Sequence, residues 1–173
     1  MRALLRARRG TAAVEFALVA PILLALSTGC VGLTQAVRAR MDVAQAAQTM
    51  AQLIATQSSV TTAQIADFCT GADAVMTPFA ATGLGLAIAS VTRNASSGTV
   101  RTDWTDTSCG NAAAIAAPAT LAASVVPNNG DSAIVVQASY TLANPLSLVL
   151  PASFTFSAVA FARPRGNATI AKN

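Results

Sequence analysis

Residues 8–37 read RRGTAAVEFALVAPILLALSTGCVGLTQAV, and from Thr11 to Val37 the stretch carries a single charge, Glu15. This apolar run of about 27 residues exceeds the roughly 20 that an α-helix needs to cross a bilayer. Arg2, Arg6, Arg8 and Arg9 precede it, while Arg38 and Arg40 follow it and are partly offset by Asp42. Basic residues are retained on the cytoplasmic side, so the N-terminus is expected there and the body of the chain on the far side. A carboxylate early in a membrane helix is costly unless it stays near the interface or finds a partner. A Glu in the first turns also complements the helix dipole and can reach toward headgroups. From the residues alone both readings of Glu15 stand. Pro21 is tolerated in such a helix when neighbours satisfy the freed carbonyl.

The 173 residues are a single-domain length, and the mean hydropathy of +0.53 with only 10% charged residues places part of the apolar excess in lipid. Nucleic acid is not expected as a partner. The basic residues flank the apolar run and few lie beyond residue 60, whereas a duplex-binding surface needs them gathered on a folded face. There is no histidine, and the three cysteines form no Cys-x-x-Cys, so no metal site of familiar spacing and no cofactor is expected.

Residues 6–24, RARRGTAAVEFALVAPILL, resemble the TadE-like family, the minor pseudopilins of tight-adherence (Tad/Flp) pilus systems, and the likeness runs over roughly residues 8–50. The resemblance implies cleavage by a prepilin peptidase between Gly10 and Thr11, with Glu15 and the aromatic Phe16 as the fifth and sixth residues of the mature chain. Cleavage would free the α-amine of Thr11 four residues from Glu15, on the same helix face. The amine and carboxylate could neutralise each other within one chain, or pair between neighbours and set register in an assembly. The implied partners are the peptidase, other pilin-like subunits, the assembly platform and the lipid bilayer. The implied location is the bacterial inner membrane, single-pass, with the C-terminal domain periplasmic. Such a protein either enters an extracellular pilus or stays at its base.

Two other readings of the segment compete. A secretory signal would place Ala25 and Ser27 at the small-residue cleavage positions, but the apolar stretch continues past them to Val37 and contains Glu15. A lipobox ending at Cys30 has Ser27 where leucine is usual, and Cys30 reads more simply as a small apolar residue in a helix.

Beyond Val37, RARMDVAQAAQTMAQLIAT lacks Gly and Pro and favours continuing the helix as a stalk. Val37, Met41, Ala44, Ala47, Ala51 and Ile54 form an apolar stripe, with Arg38, Asp42, Gln45, Gln48 and Gln52 on another face. A helix from Thr11 to about Thr56 would be about 70 Å long. A turn at Ser59–Thr62 leads into a short helix over Ala63–Met76 that Thr77-Pro78 closes. Leu86–Thr92 and Val100–Thr105 read as a hairpin about a turn at Asn94–Gly98, with Trp104 as a structural anchor. Asp131–Tyr140 and Ser153–Arg163 alternate as strands, separated by Asn144–Pro151. Cys109–Asn129, rich in alanine, reads as loop with helical turns, and the polar tail from Arg163 as frayed, with its two arginines free to dock on acidic surface. The fold class is α+β: a long N-terminal membrane-spanning helix continuing as a stalk and packed against a small antiparallel sheet. The expected divisions are a basic leader at 1–10, the spanning helix at 11–37, the stalk at 38–57 and the α+β domain at 58–173.

Cys69 and Cys109 fall in the part placed outside the cytoplasm, where disulfides persist, and are expected to pair. Closing that loop would contribute about 4 kcal/mol on the chain-entropy model. An enzyme is not expected, because the body offers mainly Asp67, Asp73, Asp103, Asp106 and Asp131, with no Ser-His or Cys-His pair and no phosphate-binding glycine loop. Asp103 and Asp106, flanking Trp104, could accept metal or polar contacts but read more simply as surface acids of the hairpin. The two functional readings are a cleaved pseudopilin and an uncleaved, membrane-tethered binding or scaffold module.

Overall fold

The N-terminal helix α1 spans Arg8–Ala55 in the computed structural model, which describes residues 8–143, 153–165 and 169–173, with side chains from residue 12 onward. The leader through Ala7 and the separator expected at Asn144–Pro151 lie outside the described residues. The backbone of Arg8–Gly10 is already helical, so the helix does not wait for Thr11. Two compact units divide the chain, Met1–Val37 and Arg38–Asn173.

In the second unit α1 is followed by β1 (Ser59–Val60), α2 (Thr62–Val75), β2 (Leu84–Arg93), β3 (Val100–Gly110), α3 (Pro118–Ala122), β4 (Ser132–Ala143), β5 (Ser153–Ala162) and β6 (Ala171–Lys172). The fold is α+β, as the alternation of apolar residues predicts. A four-stranded antiparallel sheet has the order β3-β2-β4-β5. Its central strand β2, LGLAIASVTR, is buried from Leu84 to Thr92, which requires cover on both faces.

On one face Leu84, Leu86, Ile88, Ile134, Val136 and Ala138 join Ala39, Val43, Ala46, Ala47, Met50, Ala51 and Ile54 of α1 in one cluster. The buried stripe is therefore not the one the spacing suggested. Ala47, Ala51 and Ile54 are buried, but Val37 and Met41 are 54% and 65% exposed, and Ala44 is exposed as well. Ala39, Val43 and Ala46 take their place. Both series repeat every three to four residues, and only the position of the sheet decides between them. The alanines let the helix lie close to the strands, while Met50 and Ile54 fill the remaining volume.

The Ala-rich segment after β3 covers the other face. Ile115 and Ala122 pack on Ala87, Ala89, Val91 and Val135. Gly110 makes the exit from β3 feasible: its φ is +64°, and a Cβ there would lie 2.1 Å from the Leu84 carbonyl oxygen. Pro118 opens α3, and Arg93 holds the far end of the segment. Its Nε donates to the Val126 carbonyl (2.5 Å), Nη2 to that of Ala123 (3.2 Å) and Nη1 to that of Gly98 (2.7 Å). One guanidinium thus ties the segment to the β2–β3 turn, where Asn94 Oδ1 accepts from the amides of Ser96 and Ser97. Helix α2 begins at a capping box, with the Gln64 amide donating to Thr61 Oγ1 (3.2 Å) and the Thr61 amide to Gln64 Oε1 (2.9 Å). Cys69 of α2 and Cys109 of β3 form a disulfide with Cα atoms 5.6 Å apart.

In its described residues the tail is not frayed. Ala171–Lys172 pairs in parallel with Ser59–Val60, Ile170 is buried, and its carbonyl accepts from Trp104 Nε1 at 2.7 Å. Arg163 forms an ion pair with Asp131. Asp106 is not a surface acid: it is 6% exposed, pairs with Lys172 Nζ and accepts from the hydroxyl and amide of Ser108. A polar tail gives no hydrophobic signal, so the charge pair across 66 positions was invisible to periodicity. Asp103 instead pairs with Arg101 at 3.1 Å and accepts from the Thr92 hydroxyl.

Burial alone pushes the Asp106 carboxyl up, but the Lys172 ammonium and the two Ser108 donors outweigh it and hold the group below the ordinary 3.8. A depressed carboxyl contributes stability above its unfolded pKa and loses it as pH falls through the folded value. Acidification is therefore expected to release the tail below the ordinary carboxylate range, read as a fluorescence change of Trp104, the single tryptophan. Lys172→Met should move that transition to higher pH, and an unchanged profile would remove the pair from the account. Arg93→Met, which strips three carbonyls of their donor, is expected to cost about 1–3 kcal/mol in denaturant unfolding.

Candidate functional site

The candidate site is the uncovered part of α1. From Ala12 on, the helix has an apolar window of mean hydropathy 2.2 in which none of the residues is buried by the rest of the chain. That figure separates it from a core helix of equal length, which would be covered by its own domain. Val14, Phe16, Leu18, Ile22, Leu24, Leu26 and Leu33 are each between 61% and 73% exposed. A surface of this size and character needs lipid or other apolar helices around it.

The hydroxyls of Ser27, Thr28 and Thr34 within the run are satisfied locally. Thr28 Oγ1 donates to the Leu24 carbonyl at 2.8 Å, Ser27 Oγ to the same carbonyl at 3.0 Å, and Thr34 Oγ1 to that of Cys30 at 2.9 Å. Hydroxyls that bond back to the preceding turn present little unmet polarity to a hydrocarbon medium. Pro21 lies within the helix, and a Cβ on Gly29 would meet nothing within 4 Å.

Glu15 is not satisfied in this way. It is exposed on the helix beside Phe16 and makes no hydrogen bond or ion pair among the described residues. Gly10 and Thr11 lie in the same helical backbone, one turn before it. In this form of the chain the bond between them is an ordinary helical peptide. Cutting it would require local unwinding, and glycine weakens a helix at that point. The constellation offers no reactive chemistry of its own. It offers one carboxylate in apolar surroundings, and a bond whose hydrolysis creates a cation one turn away.

The other residues singled out from the sequence lie in the second unit. Cys69 and Cys109 sit at a shallow cleft with Asp73, whose carboxyl is pushed up by burial. Trp104 and Asp106 anchor the tail, and Arg163 and Arg165 line a groove between the end of α1 and the end of β5. Among the described residues no group of three or more His, Cys, Asp or Glu side chains could hold a metal ion. Periodicity missed the anchoring pair Asp106–Lys172 and the clamp by Arg93. The short Ser108-to-Asp106 turn was the only local hint of either.

These features define an α+β protein with, among the described residues, one helix long and apolar enough to cross a membrane. The model of the TadE-like protein family matches residues 10–52, from the glycine of the expected cut through Glu15, Phe16 and most of the buried stripe. Over this segment the chain is similar to the TadE-like family; the sheet lies outside the match. No curated protein and no solved structure matches the chain.

Cys30 is unpaired and exposed on the helix, about 9 Å from the midpoint of 11–37, so a bilayer centred on that span would hold it inside a hydrocarbon half-thickness of about 15 Å. In sealed vesicles it is expected to resist a membrane-impermeant maleimide from either side and to react after the bilayer is dissolved. Ready labelling from one side would mean that residues 11–37 do not span.

Proposed function

We propose that this chain is a minor pseudopilin of a tight-adherence pilus system. It is inserted in the bacterial inner membrane through residues 11–37, with the leader cytoplasmic and the Arg38–Asn173 unit periplasmic. A prepilin peptidase cuts it between Gly10 and Thr11. Other pilin-like subunits and the assembly platform are its partners, and the bilayer is its storage medium before assembly. The observation that carries this reading is the family match over 10–52, which takes in the scissile glycine, the acid and the apolar helix together.

The chemistry follows from where the charges lie. Before cleavage Glu15 has no cation within its turn, and the basic leader holds the N-terminus on the cytoplasmic side. Hydrolysis removes the leader and leaves the α-ammonium of Thr11 one turn from Glu15. Paired within one chain, the two groups lower the cost of holding the helix start in lipid. Paired with the amine of a neighbour, Glu15 fixes the axial position of one apolar helix against the next, since any other register leaves both charges desolvated without a partner. The exposed Val37, Met41 and Ala44 then extend the surface available to neighbouring helices. The disulfide between Cys69 and Cys109 suits a domain that folds in an oxidising compartment.

Glu15→Ala is expected to be inserted and trimmed like the parent chain, yet to be recovered with sheared pili or with co-purified pilin-like subunits at least about tenfold less, the scale of losing one desolvated charge pair. Trimmed Glu15→Ala recovered at the parental level would remove the register role of the acid.

A further inference from the structure

The two edges of the sheet are treated differently. The β3 edge carries Arg101, Asp103 and Asp106, and the C-terminal segment is fastened to it through Asp106–Lys172 and Trp104–Ile170. Charges and a covering segment are the devices that keep an edge strand from pairing with other chains. Among the described residues strand β5 has neither: SFTFSAVAFA is ten residues long, with no charge, proline or glycine, and it pairs only with β4. Ser153, Thr155, Ser157 and Val159 are exposed along it. At its end, Phe161 and Ala162 form one wall of the groove of about 510 Å³ whose other wall is the last turns of α1, lined by Gln48 and Gln52. Arg165 opens into that groove and has no carboxylate partner among the described residues, whereas Arg163 beside it is paired with Asp131.

We propose that the outer edge of β5 accepts an extended segment of a different polypeptide, and that a carboxylate of that segment seats against Arg165. Unpaired strand N–H and C=O groups are met in full only by another extended backbone, so the edge dictates the conformation of its occupant. The lone guanidinium dictates the charge at one end. The sheet's antiparallel pairing places the carboxylate near the N-terminal end of the incoming strand, opposite the C-terminal end of β5.

A second copy of this chain does not fit. Two β5 strands pair symmetrically only about a two-fold axis normal to the sheet, because a two-fold along the strands sets like groups against like. That axis reverses the Arg38–Ala55 helix packed along the sheet face, so the Arg38 ends of the two copies point in opposite directions. On the membrane-spanning reading above, copies inserted through that end from one side of one bilayer cannot share β5.

The test uses the full chain in detergent micelles with backbone amides assigned, and needs neither cleavage nor a pilus, so its failure is distinct from failure of the pseudopilin reading. The probe is a synthetic Thr/Val-alternating decapeptide with two N-terminal glutamates, alongside its glutamine counterpart. The glutamate peptide is expected to slow amide exchange in β5 but not in β3, and to bind about tenfold more tightly than the glutamine form. Arg165→Glu should abolish that difference, and Ser157→Lys combined with Val159→Lys should abolish binding of both peptides while β2 and β4 keep their protection. Absence of protection in β5, equal protection of β3, or equal affinity for the two peptides would overturn the proposal. Concentration-dependent protection of β5 without peptide would also overturn it, in favour of self-pairing.

Discussion

A helix that is apolar on every side and uncovered by its own chain cannot remain in water, and that constraint organises the rest of this molecule. Residues 12–37 expose one large aliphatic side chain after another, and their hydroxyls are turned back onto the helix. Beyond Arg38 the same helix changes character. Small and apolar residues gather on one side at Ala39, Val43, Ala46, Met50 and Ile54, with glutamines elsewhere, and the sheet closes over that stripe. One continuous element is thus built for two surroundings, and the change falls at the two arginines that follow the apolar run.

The domain supports this with few charges. Its central strands are apolar on both faces and are covered by a helix on one side and an alanine-rich segment on the other. The charges that exist are placed at junctions. Arg93 joins the covering segment to the hairpin, Asp106 and Lys172 lock the tail, and Arg163 with Asp131 joins the end of β5 to the start of β4. Helix α2 is capped at its start and bonded covalently to β3 through Cys69. Because the described part of the tail is locked beside β1 and β3, the β5 edge is, among the described residues, the one left without charge or cover.

Much of this was legible in the sequence because the signals were periodic. The apolar run and its acid stood out against the arginines, and the alternation in Leu86–Thr92, Asp131–Tyr140 and Ser153–Arg163 marked three strands that the sheet contains. Asn94–Gly98 announced its turn through residues that bond their own backbone. What could not be read had no period, or a period that two sets of residues shared. The choice between the Val37–Met41–Ala44 stripe and the Ala39–Val43–Ala46 stripe depends on the sheet, not on the helix. The alanine-rich segment between Cys109 and Asn129 gains its role only from the strand face beneath it. The tail carries too few apolar residues to signal burial, and Asp106 is indistinguishable from Asp103 until Lys172 arrives from 66 positions away. For the candidate site, the acid and the glycine were visible as residue types at a fixed spacing, whereas the absence of any partner for Glu15 among the described residues required the structure.

Gly10 and Glu15 are proposed as parts of one device, in which hydrolysis supplies the cation that the exposed, unpaired acid lacks. The most direct measurement is the intact mass and N-terminal sequence of the protein recovered from the membrane of cells that carry a prepilin peptidase and of cells that lack it. The account expects Thr11 as the first residue in the former and an intact leader in the latter. Met1 as the first residue in both, or a chain beginning at Thr28 or at a lipidated Cys30, would contradict it.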